Sequence, residues 1–425
     1  MIGSKMSSFQ SFFMLKARML YHCKGLDKRY FEKCQKIAYE SRGHFRITAF
    51  DIMWNESGYR DKTFDLRYDK MNDEFKMGIL YENNRKLKSL MKISLMADGH
   101  IVAIDLEEYQ YSTNSKKYIE TMREHFLIAK MSGKHCMIIV NISEFDRTFE
   151  KLNDLMEEIQ KILKEFSMSN IHIVGIQGNS NFSKLDPFER MPHPLFSKLT
   201  CTEAIIEFRK EIVKEIENTQ ITQNNEGDSL VYAVMGKEKI GGIGTTVIGR
   251  VISGSIQFDQ EVKITETILS NVKSLEIFHE NQTKVNRGDF CGVALKNVRM
   301  VDITRGSLIG IDPSHTFEAI VYITHSPKKG WKVGVTPIVF STCVGEACRV
   351  IEIVERLNKK TKTPLVSKPS NCKENELVRL RFSCHKGIQL FSEERWRRII
   401  LIHNNKVMGG GFITLVGGTH YNENK

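Results

Sequence analysis

No apolar run among the 425 residues approaches the roughly 20 that a membrane-spanning helix requires, which argues against a transmembrane role. There is no C-x-x-C pair, and the nine cysteines, at positions 23, 34, 136, 201, 291, 343, 348, 372 and 384, make an odd total. That pattern argues against zinc and against a disulfide framework, and for a reducing compartment. Cys343 and Cys348 have a spacing that could serve a metal, but the residues around them read as strand, where a thiol is a small buried apolar group. No internal repeat, low-complexity tract or catalytic constellation is evident. His125 and His135 stand beside apolar helix or strand positions and read as structural residues, not general bases.

What is present is a chain long enough for two or three domains, each with its own core. Hydrophobic residues make up 41% and charged residues 27%, close to ordinary globular usage. The net charge of +11 is unevenly spread. Residues 1–225 carry 34 Lys and Arg against 31 Asp and Glu, whereas residues 226–425 carry 28 against 20. A basic C-terminal half favours polyanionic partners, RNA foremost, although such a surface also serves solubility.

From Phe149 to Phe166, apolar residues recur every three or four positions with charge between them, which predicts an amphipathic helix. Short apolar runs at Ile101–Ile104, Met137–Val140 and Ile171–Ile176 have the length of buried strands. Strands alternating with helices predict a mostly parallel sheet. The polar segment Thr219–Ser229 reads as a linker. Beyond it, short β-branched runs are punctuated by Gly, Asn, Asp and Pro every 8–15 residues or so, the pattern of antiparallel barrels.

Four ordered blocks in this region resemble the second domain of the elongation factor 1-alpha family. They are IGGIGTTVIGRVISG, which ends at Gly254, VKSLEIFHE at Val272–Glu280, RGDFCG at Arg287–Gly292, and KNVRMVDITRG at Lys296–Gly306. Their glycines Gly241, Gly242, Gly244, Gly249 and Gly254 suit a small barrel that turns corners and lets backbones approach closely. The resemblance implies that Glu276 packs against the terminal adenosine of aminoacyl-tRNA, with Lys273 and Arg305 near the 3′ end as phosphate contacts. Ile252 stands where the family has an acid. A third domain matches through Gly334–Cys343, the Lys359–Lys362 turn and Gly409–Ile413. Its G-R-F-x-x-R-D motif is reduced to Arg398, inside a basic cluster with Arg395 and Arg397 around Trp396 that reads either as a changed partner surface or as a solvated strand edge.

The N-terminal half resembles the family's GTPase domain through Arg18–Ala38, Arg123–Ala129 and Val140–Glu144. The Ser-rich, basic stretch before Asp27 has the composition of a transit peptide, but its continuity with the Arg18 block assigns it to the mature domain. A GTPase needs a G-x-x-x-x-G-K-[ST] loop for phosphates and magnesium. Residues 1–20 hold SSFQSFFMLKA in that place, after a first strand reduced to Met1–Gly3. The family's D-A-P-G-H falls on GILYENNR at Gly78–Arg85. Its N-K-x-D falls on Asn141-Ile142-Ser143-Glu144, and its S-G-W on Gln177-Gly178-Asn179. Asn141, Glu144 and Gln177 are then vestiges of a guanine-reading motif.

The expectation is a degenerate P-loop-GTPase-like α/β domain over 1–222, followed by two all-β barrels over 223–315 and 316–425. Such a chain would be a cytoplasmic translation protein that binds tRNA or the ribosome, with no membrane. The resemblance also implies a nucleotide-exchange-factor-like or tRNA-mimicking protein as the other kind of partner. The family's GTP and magnesium are not expected to be retained, and no catalytic residue or metal ligand is assigned. A functional GTP-dependent tRNA-delivery factor and a ribosome-rescue or mRNA-surveillance adaptor are the alternatives.

Overall fold

The structure is a computed structural model. It describes residues 2–3, 32–33, 36–37, 40, 65–67, 79–81, 87–106, 109, 115–143, 150–178, 194–221, 229–277, 280–311, 314–326, 330–388, 391, 394–417 and 419–420. The chain divides into two compact units. Residues 1–85, 97–130 and 134–223 form the first, and residues 86–96, 131–133 and 224–425 the second. No helix among the described residues is long and apolar enough to cross a membrane.

The first unit is built on a parallel sheet whose spatial order is also its chain order: β1 (Ile2–Gly3), β4 (Gly99–Asp105), β5 (His135–Ser143) and β6 (His172–Gly178). A separate hairpin pairs β2 (Asp65–Arg67) with β3 (Ile79–Tyr81). The sheet strands are near-continuous apolar runs because helices follow them in the crossover connections and both faces are covered. Val102, Ile104, Ile138, Val140 and Ile173 share one core with Phe126 of helix α2 (Ser115–Ser132) and with helix α3 (Glu150–Glu165). In α3 the buried side chains are Leu152, Leu155, Met156, Ile159, Ile162 and Leu163, the stripe that the sequence periodicity predicts. Helix α4 (Cys201–Ile221) starts at a capping box. The Glu203 amide donates to Thr200 Oγ1 at 3.3 Å, and the Thr200 amide donates to Glu203 Oε2 at 2.8 Å. This helix runs through Ile221, so the first residues of the expected linker, Thr219–Ile221, are its last turn. Residues 222–228 lie outside the described residues.

The second unit holds two antiparallel β-domains. In the first, β7 (Val231–Ile240), β8 (Gly244–Ser253), β10 (Glu261–Lys263), β11 (Leu269–Ile277), β14 (Phe290–Leu295) and β15 (Leu308–Ile309) form a sheet of order β10-β11-β14-β8-β7-β15. Strand β12 (Glu280–Gln282) joins β11, and β13 (Lys284–Asn286) pairs with β9 (Ser255–Gln257). Three glycines show why the first block of the resemblance needs that residue. Gly242 and Gly244 take φ of +76° and +112° at the β7–β8 turn, and a Cβ on Gly249 would lie 2.0 Å from the Ala233 carbonyl oxygen.

The second β-domain comprises β16 (Ser314–Ile323), β17 (Ile338–Ser341), β18 (Val344–Ala347), β19 (Arg349–Leu357), β20 (Pro364–Ser367), β21 (Leu377–Ile388), β22 (Arg398–His403) and β23 (Lys406–Val416). Their order is β18-β17-β22-β23-β16-β21-β19-β20, with β24 (Thr419–His420) on β23. Phe317 and Phe382 stack in its core with centroids 5.0 Å apart. Helix α1 (Leu87–Met96) precedes β4 in the chain yet belongs to this unit, where it packs on β17, β18 and β22. The architecture is a GTPase-like α/β region followed by β-rich domains.

Candidate functional site

At the carboxyl edge of the parallel sheet, where open α/β sheets hold their ligands, Asp105 and Asn141 are direct neighbours in register. The Asn141 amide donates from Nδ2 to Asp105 Oδ2 at 3.0 Å. From α2, the Tyr118 hydroxyl donates to the Asp105 carbonyl at 3.0 Å and lies 3.3 Å from the Asp105 amide. Asp105 is 2% exposed. A base-reading asparagine presents its amide to the ligand, whereas one amide proton here is given to a buried carboxylate of the same chain. Asp105 escapes sequence reading because an acid at the end of an apolar run looks like an ordinary loop start.

Of the other guanine-motif residues, Gln177 occupies the penultimate position of β6, paired with Ile142. Glu144 lies outside the described residues, as do residues 4–20 in the place of the phosphate loop and 82–85 in the second motif. No group of three or more His, Cys, Asp or Glu that could hold a metal occurs among the described residues. Cys343, in the turn after β17, and Cys348, between β18 and β19, are buried free thiols. Burial pushes the Cys343 thiol up to about 12, and a hydrogen bond shared with Cys384 raises that of Cys348.

On the first β-domain the ladder aligns Glu276 of β11, Gly292 of β14, Ile248 of β8 and Gly236 of β7 in one row across the sheet. Glu276 is exposed, and the two glycines leave Ile248 as the one side chain between it and β7. A Cβ on Gly292 would find its nearest atoms at 3.9 Å, so the row is a shallow shelf with a carboxylate at one end. Lys273 is the extra residue of a β-bulge between Val272 and Ser274. The bulge turns both Lys273 and Glu276 to the exposed side although they are three residues apart. The Lys273 ammonium donates to the carbonyls of Gly242 and Ile243 at 3.1 and 2.7 Å, so it braces the tip of the β7–β8 hairpin. Arg305 is exposed on the loop after the 3-10 turn Met300–Asp302. Lys237 steadies that loop by donating to the Met300 carbonyl at 2.6 Å and to that of Ile303 at 2.5 Å. Lys273 and Glu276 thus share one strand, whereas Arg305 and Arg398 stand on separate elements.

The basic cluster at 395–398 is not a solvated strand edge. Residues Glu394–Arg397 form a helical turn, α5, and Trp396 and Arg397 are buried. Arg398 pairs with Glu394 at 2.8 Å, and its guanidinium lies against Gly133. The strand-like run that follows masks a turn too short to register as a period. A residue that sequence reading passes over organises this part of the unit. Arg250, 3% exposed, donates to the Gly288 carbonyl at 2.8 Å and to that of Met96, the last residue of α1, at 2.6 Å. Its guanidinium lies 4.9 Å from the Phe290 ring centre and 5.1 Å from that of Trp396.

A GTPase-like α/β region, a first β-domain with this shelf and a second nine-stranded one define a translation-factor GTPase fold. Residues 244–310 match the family model for elongation factor Tu domain 2, and residues 316–414 that for the GTP-eEF1A C-terminal domain-like family. Elongation factor 1-alpha of Mucor circinelloides f. lusitanicus is 27% identical over 360 residues, covering 81% of this chain and 78% of the relative. That of Absidia glauca is 26% identical over 376 residues, covering 84% and 81%. The chain is thus similar to elongation factor 1-alpha over most of its length, and its two β-domains match family models of translation factors. Among solved structures, the GTP-bound Ski7 GTPase-like domain of S. cerevisiae superimposes with a TM-score of 0.63 at 13% identity, covering 97% of this chain and 96% of that one. Apo elongation factor SelB of Methanococcus maripaludis gives 0.55 at 16%, covering 87% and 75%. These two likenesses speak for the fold alone.

Proposed function

We propose that this chain is a cytoplasmic translation protein of the elongation-factor kind that engages tRNA or the ribosome through its first β-domain, without binding or hydrolysing GTP. Its functional division is a degenerate nucleotide domain over 1–222, the tRNA-facing domain over 223–315 and a third domain over 316–425. The observation that carries the reading is the shelf on the first domain. An exposed carboxylate, two glycines and one aliphatic side chain in a row suit a flat base laid on a sheet and a ribose hydroxyl bonded at its end. The loss of nucleotide is supported by the four motif departures and by the Asn141 amide bonded to buried Asp105.

Calorimetric titration of the full chain with GTP and with GDP tests the nucleotide part. No binding at micromolar strength, about −8 kcal/mol, is expected for either. A dissociation constant of about 1 μM or tighter would restore a nucleotide-driven delivery factor. The second reading is a ribosome-rescue or mRNA-surveillance adaptor that takes a tRNA-shaped protein, for which the Ski7 GTPase-like domain, covering 97% of this chain, offers a likeness of fold.

A further inference from the structure

The second β-domain carries a recess that the proposed tRNA shelf does not use. Beside the β19–β20 turn lies a cavity of about 390 Å³ with leucines Leu357, Leu365 and Leu377 in its lining and the cations Arg356, Lys359 and Lys360 around them. Leu365 is 58% and Val366 43% exposed, both on β20, which ends the sheet and pairs only with β19 among the described residues. Arg356 is matched by Glu376 at 3.2 Å. Lys359 and Lys360 therefore set the sign of the rim.

The turn is held in shape by its own hydrogen bonds. Asn358 Oδ1 accepts from the amides of Lys360 and Thr361 at 2.8 and 3.2 Å, its own amide donates to the Thr363 carbonyl at 2.8 Å, and Lys362 sits at φ +57° in the left-handed region. Such a loop orders little on binding, so its contacts go into affinity.

We propose that this recess docks an acidic peptide segment of a protein partner, seating one bulky apolar side chain among the leucines with Asp or Glu on either side facing Lys359 and Lys360. Contiguous apolar exposure at a sheet end marks an interaction surface, and the lysine rim selects acidic company for the apolar anchor. RNA fits less well. Single-stranded binding uses aromatic faces for base stacking, but the lining residues include no aromatic. The neighbouring Tyr322 ring has the Lys359 ammonium 5.4 Å from its centre and its hydroxyl bonded to Asn375 at 2.9 Å.

Fluorescence anisotropy on the full chain tests the proposal with three labelled eight-residue peptides: Leu flanked by Asp and Glu, Ser in place of that Leu, and Leu flanked by Lys. A labelled single-stranded RNA of twelve nucleotides forms the fourth arm. The acidic Leu peptide should bind at least about tenfold more tightly than the other two peptides. Leu365→Asp and the double variant Lys359→Glu/Lys360→Glu should each weaken it by a similar factor, while Glu276→Ala on the other domain leaves it unchanged. These side chains are exposed, and circular dichroism checks that each variant is folded. Equal binding of the Leu and Ser acidic peptides, no binding of either, or no response to both recess variants overturns the proposal. So does a recess-dependent loss confined to the RNA, or a concentration-dependent dimer that the same variants abolish.

Discussion

His100, one residue into β4, is 1% exposed, and its imidazole is held neutral: burial lowers its pKa from 6.5 to about 3, with positive charge nearby, that of Lys134 included, a smaller contribution. Between those values the unfolded chain binds a proton that the folded chain does not. Stability therefore rises with pH across this window and is lost as pH falls below about 6.5, by up to about 1.4 kcal/mol per pH unit. Thermal unfolding followed at pH 7.0, 6.0 and 5.0 should show the midpoint of the first unit falling faster in the parent than in His100→Gln. Equal slopes would mean that His100 is protonated in the folded protein. Nothing in the sequence singles out this histidine, because its burial is a matter of tertiary packing and not of local pattern. The same holds for Asp105, whose bond to Asn141 depends on strand register and not on spacing. Glu276 is legible because its neighbours Val272, Lys273 and Ser274 fall in a motif of the resembling family, though the bulge that exposes Lys273 is not.

Elements with one apolar face are legible in the sequence, and those without one are not. The α3 stripe and the glycine-marked β7–β8 hairpin emerge directly from spacing. In α1 the residues Leu87, Leu90, Met91, Ile93, Leu95 and Met96 are all buried, so apolar surface wraps most of the helix and only Lys88 and Lys92, one turn apart, mark a narrow polar stripe within ten residues. Its C-terminal carbonyl meets Arg250, a cation placed where a helix end carries partial negative charge. Replacing Arg250 by Ala removes two charge-assisted hydrogen bonds and two ring contacts. The second unit should lose about 3 kcal/mol in urea denaturation, and Arg250→Lys should recover less than half, since an ammonium cannot bond two carbonyls through a planar fork. A loss under about 1 kcal/mol would show that α1 is held by its leucines alone.

At the scale of the whole molecule, the excess positive charge and the exposed shelf lie in residues 226–425, whereas the residues that would govern nucleotide are altered in sequence or internally bonded. RNA engagement in this account is electrostatic and shelf-directed, so it should weaken with salt by roughly 0.7–0.9 logarithmic units per phosphate contact. Charge reversal at Arg305 should lower both the affinity and that slope. The most direct test is fluorescence anisotropy of the full chain with labelled tRNA carrying or lacking its terminal adenosine, each measured with GTP, with GDP and with neither. The account predicts tighter binding of the intact tRNA, loss of that preference in Glu276→Ala, and the same affinity in all three nucleotide conditions. Equal affinity for the two tRNAs, or a severalfold change with nucleotide, would contradict it.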